Sequence, residues 1–217
     1  MNAGPRTFVH VFATFGAGGP QVRAGQLMAH LGAGYRHVVM AMDGCTEARA
    51  QLPAGLDVEL VPPPPRAWLF TTVRRQRRWL AGCKPDLVLT YNWGAIESVL
   101  AARSPRLPLV HHEDGFLPDE AQQRLRRRNW LRTWALRSVP VIVPSRVLQD
   151  IAMREWRLPA TNVHHLDNGV DLRRFVPGTA GPAPLRVGTV GGLRPEKDHG
   201  NLLRAFAAGG GTSLLQI

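Results

Sequence analysis

An α/β fold, with a mostly parallel sheet covered by helices on both faces, is what the sequence predicts, and three observations predict it. Short apolar runs alternate with helical patterns along the whole chain. The first run, TFVHVFAT at residues 7–14, is β-branched and aromatic and leads straight into a glycine loop and a helix. The chain has 217 residues, 44% of them hydrophobic, so it can bury a core without staples.

Each element follows from local chemistry. Residues 7–14 read as a buried strand. Gly16, Gly18 and Gly19 form a tight loop, and Pro20 suits the first position of a helix. Ala24, Leu27, Met28 and Leu31 recur at helical spacing, and Gly32 and Gly34 stop that helix. A strand at 36–42 completes a βαβ unit, which makes the two strands parallel. A strand at 56–61 ends in four prolines at 62–65, which make a stiff loop. Helix 66–81, strand 85–91, helix 94–103 and strand 107–111 continue the alternation. An arginine-rich helix at 118–137 and a strand at 139–143 follow. Ser145 caps a helix reaching about Trp156, and a short strand occupies 162–166. Residues 177–184 are rich in proline, glycine and small residues and read as a linker. The pattern then restarts with a strand at 185–190, a helix at about 199–208 and one more short strand. A lone βα pair cannot close its own core, so the division expected is 1–177 for a first domain and 178–217 for the linker and opening of a truncated second one.

Composition narrows the function. The formal net charge is +11, almost all of it from arginine, with Lys84 and Lys197 the only lysines. Such a balance favours phosphates, nucleic acid or an anionic membrane surface, although a coding bias toward arginine gives the same excess. Cys45 and Cys83 lie far apart with no metal-type spacing, so neither a disulfide scaffold nor a zinc site is expected, and a reducing, cytoplasmic setting fits. The N-terminal residues lack the basic and apolar regions of a secretory leader. No run approaches the ~20 apolar residues of a membrane span.

Two stretches carry a family resemblance: PSRVLQDIAMREWRLPATNVHHLDNGVDLRRFVP at 144–177 and VGTVGGLRPEKDHGNLLRAF at 187–206. Together they resemble the middle of a retaining glycosyltransferase of family 4, with two facing Rossmann-like domains, the GT-B fold. In that family a serine-started helix leads through a short strand to Asn-Gly-Val/Ile-Asp, then Phe-Pro, then Gly-x-Leu-x-x-Glu-Lys. The resemblance implies a Rossmann-like N-terminal (acceptor-side) domain and the start of a donor-binding one. It implies sugar transfer from a nucleotide-sugar donor to a saccharide or lipid-linked acceptor, with retention and with neither metal nor cofactor. Envelope polysaccharide or glycolipid assembly is the context it suggests, in the cytoplasm or peripherally at the inner membrane face. The family's paired glutamates do not occur in this sequence, so the 217-residue chain is expected to have little or no transferase activity.

Site residues follow from the same match. Lys197 matches the family's diphosphate-binding lysine, and Gly18 and Gly19 match a loop whose backbone approaches the donor beside a helix N-terminus. Positive groups and N–H donors there stabilise the departing diphosphate. Where the family has an arginine this chain has Gly192, and Arg194 lies two residues on. The segment LVHHEDGF places His112, His111 and Asp114 at a strand's carboxyl end, where parallel sheets bind ligands. The family puts a histidine there, facing sugar and acceptor; His112 is the first choice, then His111, and a His-x-x-His alignment would instead reach Asp114. A plainer reading makes one histidine a core residue and the acids loop caps. Asn168, Gly169 and Asp171 belong to a structural turn, with Asp171 capping residues 172–175, and His164 and His165 serve the fold.

Two segments, 66–80 and 124–137, join arginine to tryptophan. Trp130, Leu131 and Trp134 form one stripe with Arg127, Arg128 and Arg132 around it. Basic amphipathic helices suit an anionic membrane surface. For the second segment the expectation is an ordinary helix that buries its tryptophans on the sheet. Two rival classes fit the sequence less well. No zinc finger, RNA-binding aromatic signature or clear helix-turn-helix pair supports nucleic-acid binding. A nicotinamide-dependent oxidoreductase would use the glycine loop and Asp43, yet Gln21 stands where Gly-x-Gly-x-x-Gly requires glycine.

Overall fold

The computed structural model describes residues 4–65, 67–103, 106–115, 126–173, 175–178, 187–191, 197–209 and 214–216. The chain divides into two compact units, Met1–Gly169 and Val170–Ile217. The first holds a seven-stranded sheet: β1 Arg6–Phe12, β2 Tyr35–Ala41, β3 Val58–Val61, β4 Leu87–Tyr91, β5 Leu109–His112, β6 Val141–Val143 and β7 Val163–His165. Every pairing is parallel and the order is β3-β2-β1-β4-β5-β6-β7. The helices are α1 Gly19–Leu31, α2 Leu69–Cys83, α3 Ile96–Ala102, α4 Arg126–Leu136 and α5 Arg146–Arg154. The predicted fold class therefore stands. The arginine-rich helix is described from Arg126 onward, and its expected start at 118–125 lies outside the described residues.

The strand order creates the position of the site. From β1 the chain moves outward through β2 and β3, then crosses back to place β4 on the other side of β1. Connections leave β1 and β4 in opposite directions, which opens a crevice at their carboxyl ends. Two buried clusters sandwich the sheet. One gathers Phe12, Phe15, Ala24, Met28, Val39 and Tyr91 against α1. The other gathers Val9, Val11, Val88, Val141 and Val143 with Val73 of α2, Val99 of α3, Leu136 of α4 and Ala152 of α5.

Helix ends follow their chemistry. Pro20 sits in the first turn of α1, and Gly32 ends that helix at φ +69°, a conformation glycine adopts without penalty. Ser145 caps α5, its side chain accepting from the Leu148 N–H at 3.2 Å. The face that α1 buries differs from the apolar spacing: Gln21, Ala24, Gly25 and Met28 are buried, while Leu27 and Leu31 are exposed. The reason is close approach. A Cβ on Gly25 would stand 2.6 Å from the Leu52 side chain, so the helix lies down along its smallest residues.

Helix α4 overturns an expectation. Trp130 and Trp134 are exposed, 69% and 51%, and Arg132 is completely buried with Ala135 and Leu136. The helix thus turns a charged residue toward the core and two tryptophans away from it. Arg132 is tolerated there because its guanidinium lies 4.9 Å from the ring centres of both Trp93 and Trp156, and its Nε is 3.4 Å from a buried Glu113 oxygen.

In the second unit β8 Val187–Thr189 pairs in parallel with β9 Leu214–Gln216, and α6 His199–Ala208 lies between them in sequence. Asp198 caps α6 by accepting from the Asn201 N–H at 3.3 Å. Asp171 accepts from the Arg173 N–H at 3.0 Å, and its carbonyl accepts from the Phe175 N–H at 2.9 Å.

Candidate active site

Three strands deliver the site. Parallel register sets Phe12 of β1 beside Tyr91 of β4, and Tyr91 beside His112 of β5. Alternation then sends His10, Phe12, Tyr91 and His112 to one face and Thr90 and His111 to the other. On the first face the rings stack. Phe12 and Tyr91 have centroids 4.0 Å apart and nearly parallel planes, and Tyr91 and His112 are 4.9 Å apart.

A polar string runs behind the stack. The Tyr91 hydroxyl is 3.1 Å from His10 Nδ1, and His10 Nε2 is 3.0 Å from His37 Nδ1. A neutral His10 must donate in one of these bonds and accept in the other. Burial pushes the Tyr91 phenol above its ordinary range. Burial also holds His10 well below the usual imidazole value, with His37 and His112 adding repulsion. His112 is lowered to about 3, first by burial, then by the Arg23 charge and by His111. It is therefore a neutral imidazole near pH 7, suited to exchanging hydrogen bonds with a hydroxyl.

His111 stands apart from it. It is fully buried on the opposite face, its Nδ1 2.8 Å from the Thr90 hydroxyl and its Nε2 3.6 Å from Glu113. Asp114 is joined to α1: Arg23 donates to its two oxygens at 2.6 and 3.0 Å. The same guanidinium donates to the Asn168 side chain. Arg23 thereby ties α1, the loop after β5 and the turn after β7 into one frame. Bidentate guanidinium–carboxylate pairs fix orientation as well as distance.

The loops are held closely. Asn92, at φ +59°, donates its N–H to the His112 carbonyl at 2.7 Å and accepts from the Asp114 N–H at 2.7 Å. Gly94 packs on the loop after β1, where a Cβ would meet the Ala13 Cβ at 2.3 Å and its Cα at 3.0 Å. Gln21 ties the glycine loop back, donating to the Thr14 carbonyl at 2.8 Å. Gly18 is the extended residue before α1, and no side chain caps that helix end. Its leading N–H groups and dipole suit an anion.

Of the residues singled out in the sequence, His112 ends β5, Asp114 lies in the loop after it, and Gly18–Gly19 lie at the start of α1. His111 lies in the core. Lys197 is exposed, immediately before the α6 cap in the second unit, and Arg194 and Gly192 lie outside the described residues. Among the described residues no cluster of histidine, cysteine or acidic side chains could hold a metal ion, and both cysteines are free thiols. Sequence motifs do not single out Arg23, Tyr91 and Asn92. An arginine in the turn after a glycine loop gives Arg23 a local signal, but Tyr91 and Asn92 acquire roles only when β4 is set beside β5.

Comparison with known proteins agrees with the fold. The profile of glycosyltransferase family 4 matches residues 17–174. No curated protein matches the sequence. Among solved structures, a glycosyltransferase from Rickettsia africae superposes with TM-score 0.70 at 12% identity, covering 98% of this chain and 60% of that one. Anabaena HepE in complex with UDP gives TM-score 0.70 at 16% identity, over 97% of this chain and 61% of that one. Sucrose-phosphate synthase from Thermosynechococcus elongatus gives 0.64 at 17%, over 98% and 71%. The chain spans about three fifths of the length of the first two. The parallel sheet matches the GT-B Rossmann-like fold, and with the profile match over most of its length the chain belongs to glycosyltransferase family 4.

Proposed function

We infer that the chain is the acceptor-side half and the opening of the donor-side half of a retaining glycosyltransferase that takes its sugar from a nucleotide donor. The observation that carries the reading is the neutral, ring-stacked His112 at the carboxyl edge of the sheet, the same edge from which β1 leads into a glycine loop and an uncapped helix N-terminus. The α1 N-terminus, with Gly18 and Gly19, receives the diphosphate through backbone N–H groups. The family resemblance assigns Lys197 and Arg194 as the cations for such a group. Charge grows on the diphosphate as the sugar leaves, so these contacts strengthen in the transition state. His112 orients a hydroxyl of donor or acceptor; His111 supports it from the core side, and Asp114 fixes Arg23 beside it. The neighbour solved with UDP-glucose makes a uridine donor the first to try. The same reading keeps the domain boundary at 177/178, a few residues beyond the division between the compact units at 169/170.

The acceptor is a saccharide or lipid-linked glycan of envelope assembly, met in the cytoplasm at the inner membrane face. Residues 1–217 on their own are expected to turn over little or no donor, since the paired glutamates are not among them.

Calorimetric titration with a panel of nucleotide sugars tests the reading. At least one binds, and Lys197→Ala weakens it about tenfold, near 1.4 kcal/mol. Binding of NAD(H) in place of every nucleotide sugar overturns it in favour of an oxidoreductase. Transfer of labelled sugar by the purified chain overturns the inactivity.

A further inference from the structure

The first unit carries a second surface whose chemistry the sugar-transfer site does not use. Trp68 and Phe70, at the start of α2, are 89% and 85% exposed, and Trp130 of α4 is 69% exposed. Such large apolar side chains in water mark an interaction surface when they share one face. Here they do. Phe70 and Trp130 border a groove of about 590 Å³ floored by Leu69, Val73 and Leu100. A wider groove of about 1020 Å³ continues past Leu69 and Trp130 to Trp93 in the loop after β4. Trp93 follows directly on Tyr91 and Asn92, so this surface runs up to the carboxyl rim that holds His112.

Among the described residues that line the two grooves, the charge has one sign. Arg77 lines the smaller groove, and Arg126 and Arg127 line the larger; all three are exposed. Neither α2 nor the described part of α4, Arg126–Leu136, contains an acidic residue. Among the described residues no helix is long and apolar enough to cross a membrane.

We propose that the α2–α4 face docks on an anionic phospholipid bilayer. Trp68, Phe70 and Trp130 enter the headgroup layer, Arg77, Arg126 and Arg127 pair with lipid phosphates, and the aliphatic floor accepts an acyl or isoprenoid chain beside the catalytic rim. Charge complementarity selects the anionic surface, and indole rings settle at the headgroup level because one edge is polar and the body apolar. A nucleic-acid surface would stack bases on ring faces along a cationic track; the floor between these rings is aliphatic. The proposal rests on the lipid-linked acceptor for its purpose, but it is measured without donor or acceptor.

Sedimentation of the purified chain with vesicles of phosphatidylcholine alone, or mixed with phosphatidylglycerol, tests it. The chain binds the anionic vesicles, less so as salt rises, and its tryptophan emission shifts to the blue. Trp68→Ser with Phe70→Ser lowers partitioning at least tenfold and removes most of that shift. Arg126→Gln and Arg127→Gln each lower it about fivefold. Circular dichroism of each variant matches the parent, since the four side chains stand in solvent. Absence of binding, equal binding to neutral vesicles, indifference to these substitutions, or preference for an oligonucleotide over the vesicles overturns it. Nucleotide-sugar binding that survives a failed vesicle experiment leaves the transferase reading standing, and the converse holds.

Discussion

Arg132 and Arg127 occupy the same helix and do opposite things. Arg132 is fully buried, stacked over Trp93 and Trp156 and paired with Glu113. Arg127 lines an open groove beside an exposed Trp130. The inner arginine is part of the scaffold: its charge has lost water and is compensated by a carboxylate and two ring faces. The outer one has kept its water, so its charge remains usable by a ligand. Arg23 lies between the extremes, half-sheltered and committed to Asp114 and Asn168. A net charge of +11 therefore divides into arginines that set geometry and arginines that set partners.

Removing the inner charge breaks the comparison hardest. Arg132→Ala leaves Glu113 buried without its guanidinium and takes the cation from between two indoles. The expected loss is about 3–5 kcal/mol in urea denaturation. Adding Glu113→Gln to that variant recovers part of the loss, because the stranded charge goes with it. An equal loss in the single and double variants would show that packing, not charge, is what Arg132 provides.

Acid tests the imidazole string next. Unfolded His112 titrates near 6.5, whereas in the fold it stays neutral down to about 3. The unfolded chain therefore binds the extra proton, and stability falls as pH drops from about 6.5 toward 3. Between pH 7 and pH 5 His112 alone accounts for about 2 kcal/mol, and the lowered His10 and His37 act with the same sign. Chemical denaturation at several pH values reads this slope, and His112→Gln makes it shallower. A slope unchanged by that substitution would place the acid sensitivity elsewhere. Nucleotide-sugar affinity, by contrast, shows no protonation step from His112 between pH 5 and pH 8.

The sheet was legible because its signals are local. Each strand is a short apolar run between glycine, proline or cap residues, and Pro20, Gly32 and Ser145 mark helix ends where the structure has them. The orientation of helices was less legible. The spacing of Leu27 and Leu31 predicts a buried stripe on α1, but packing chose the smaller Ala24 and Gly25 because they let the helix approach Leu52. On α4 the spacing of Trp130 and Trp134 predicts burial, and the pairing of Arg132 with Glu113 won instead. That pairing joins α4 to the end of β5 and has no trace in the local pattern. At the candidate site the strand-end segment carrying His112 was visible as a motif. The Tyr91 stack and the Arg23 frame were not, since both arise from strand order and register, which sequence periodicity does not encode.

The outer charge provides the smallest effect and the sharpest contrast. Arg127 is exposed, so Arg127→Gln exchanges one solvated polar side chain for another of similar helix propensity. Its effect on stability is expected within about 0.5 kcal/mol. The same substitution lowers partitioning onto anionic vesicles about fivefold, because near a lipid surface each cation contributes about 1 kcal/mol. Thermal denaturation and vesicle sedimentation on one preparation read both numbers. A destabilisation comparable to that of Arg132→Ala would mean that Arg127, too, belongs to the scaffold, and the division between inner and outer arginines on α4 would collapse.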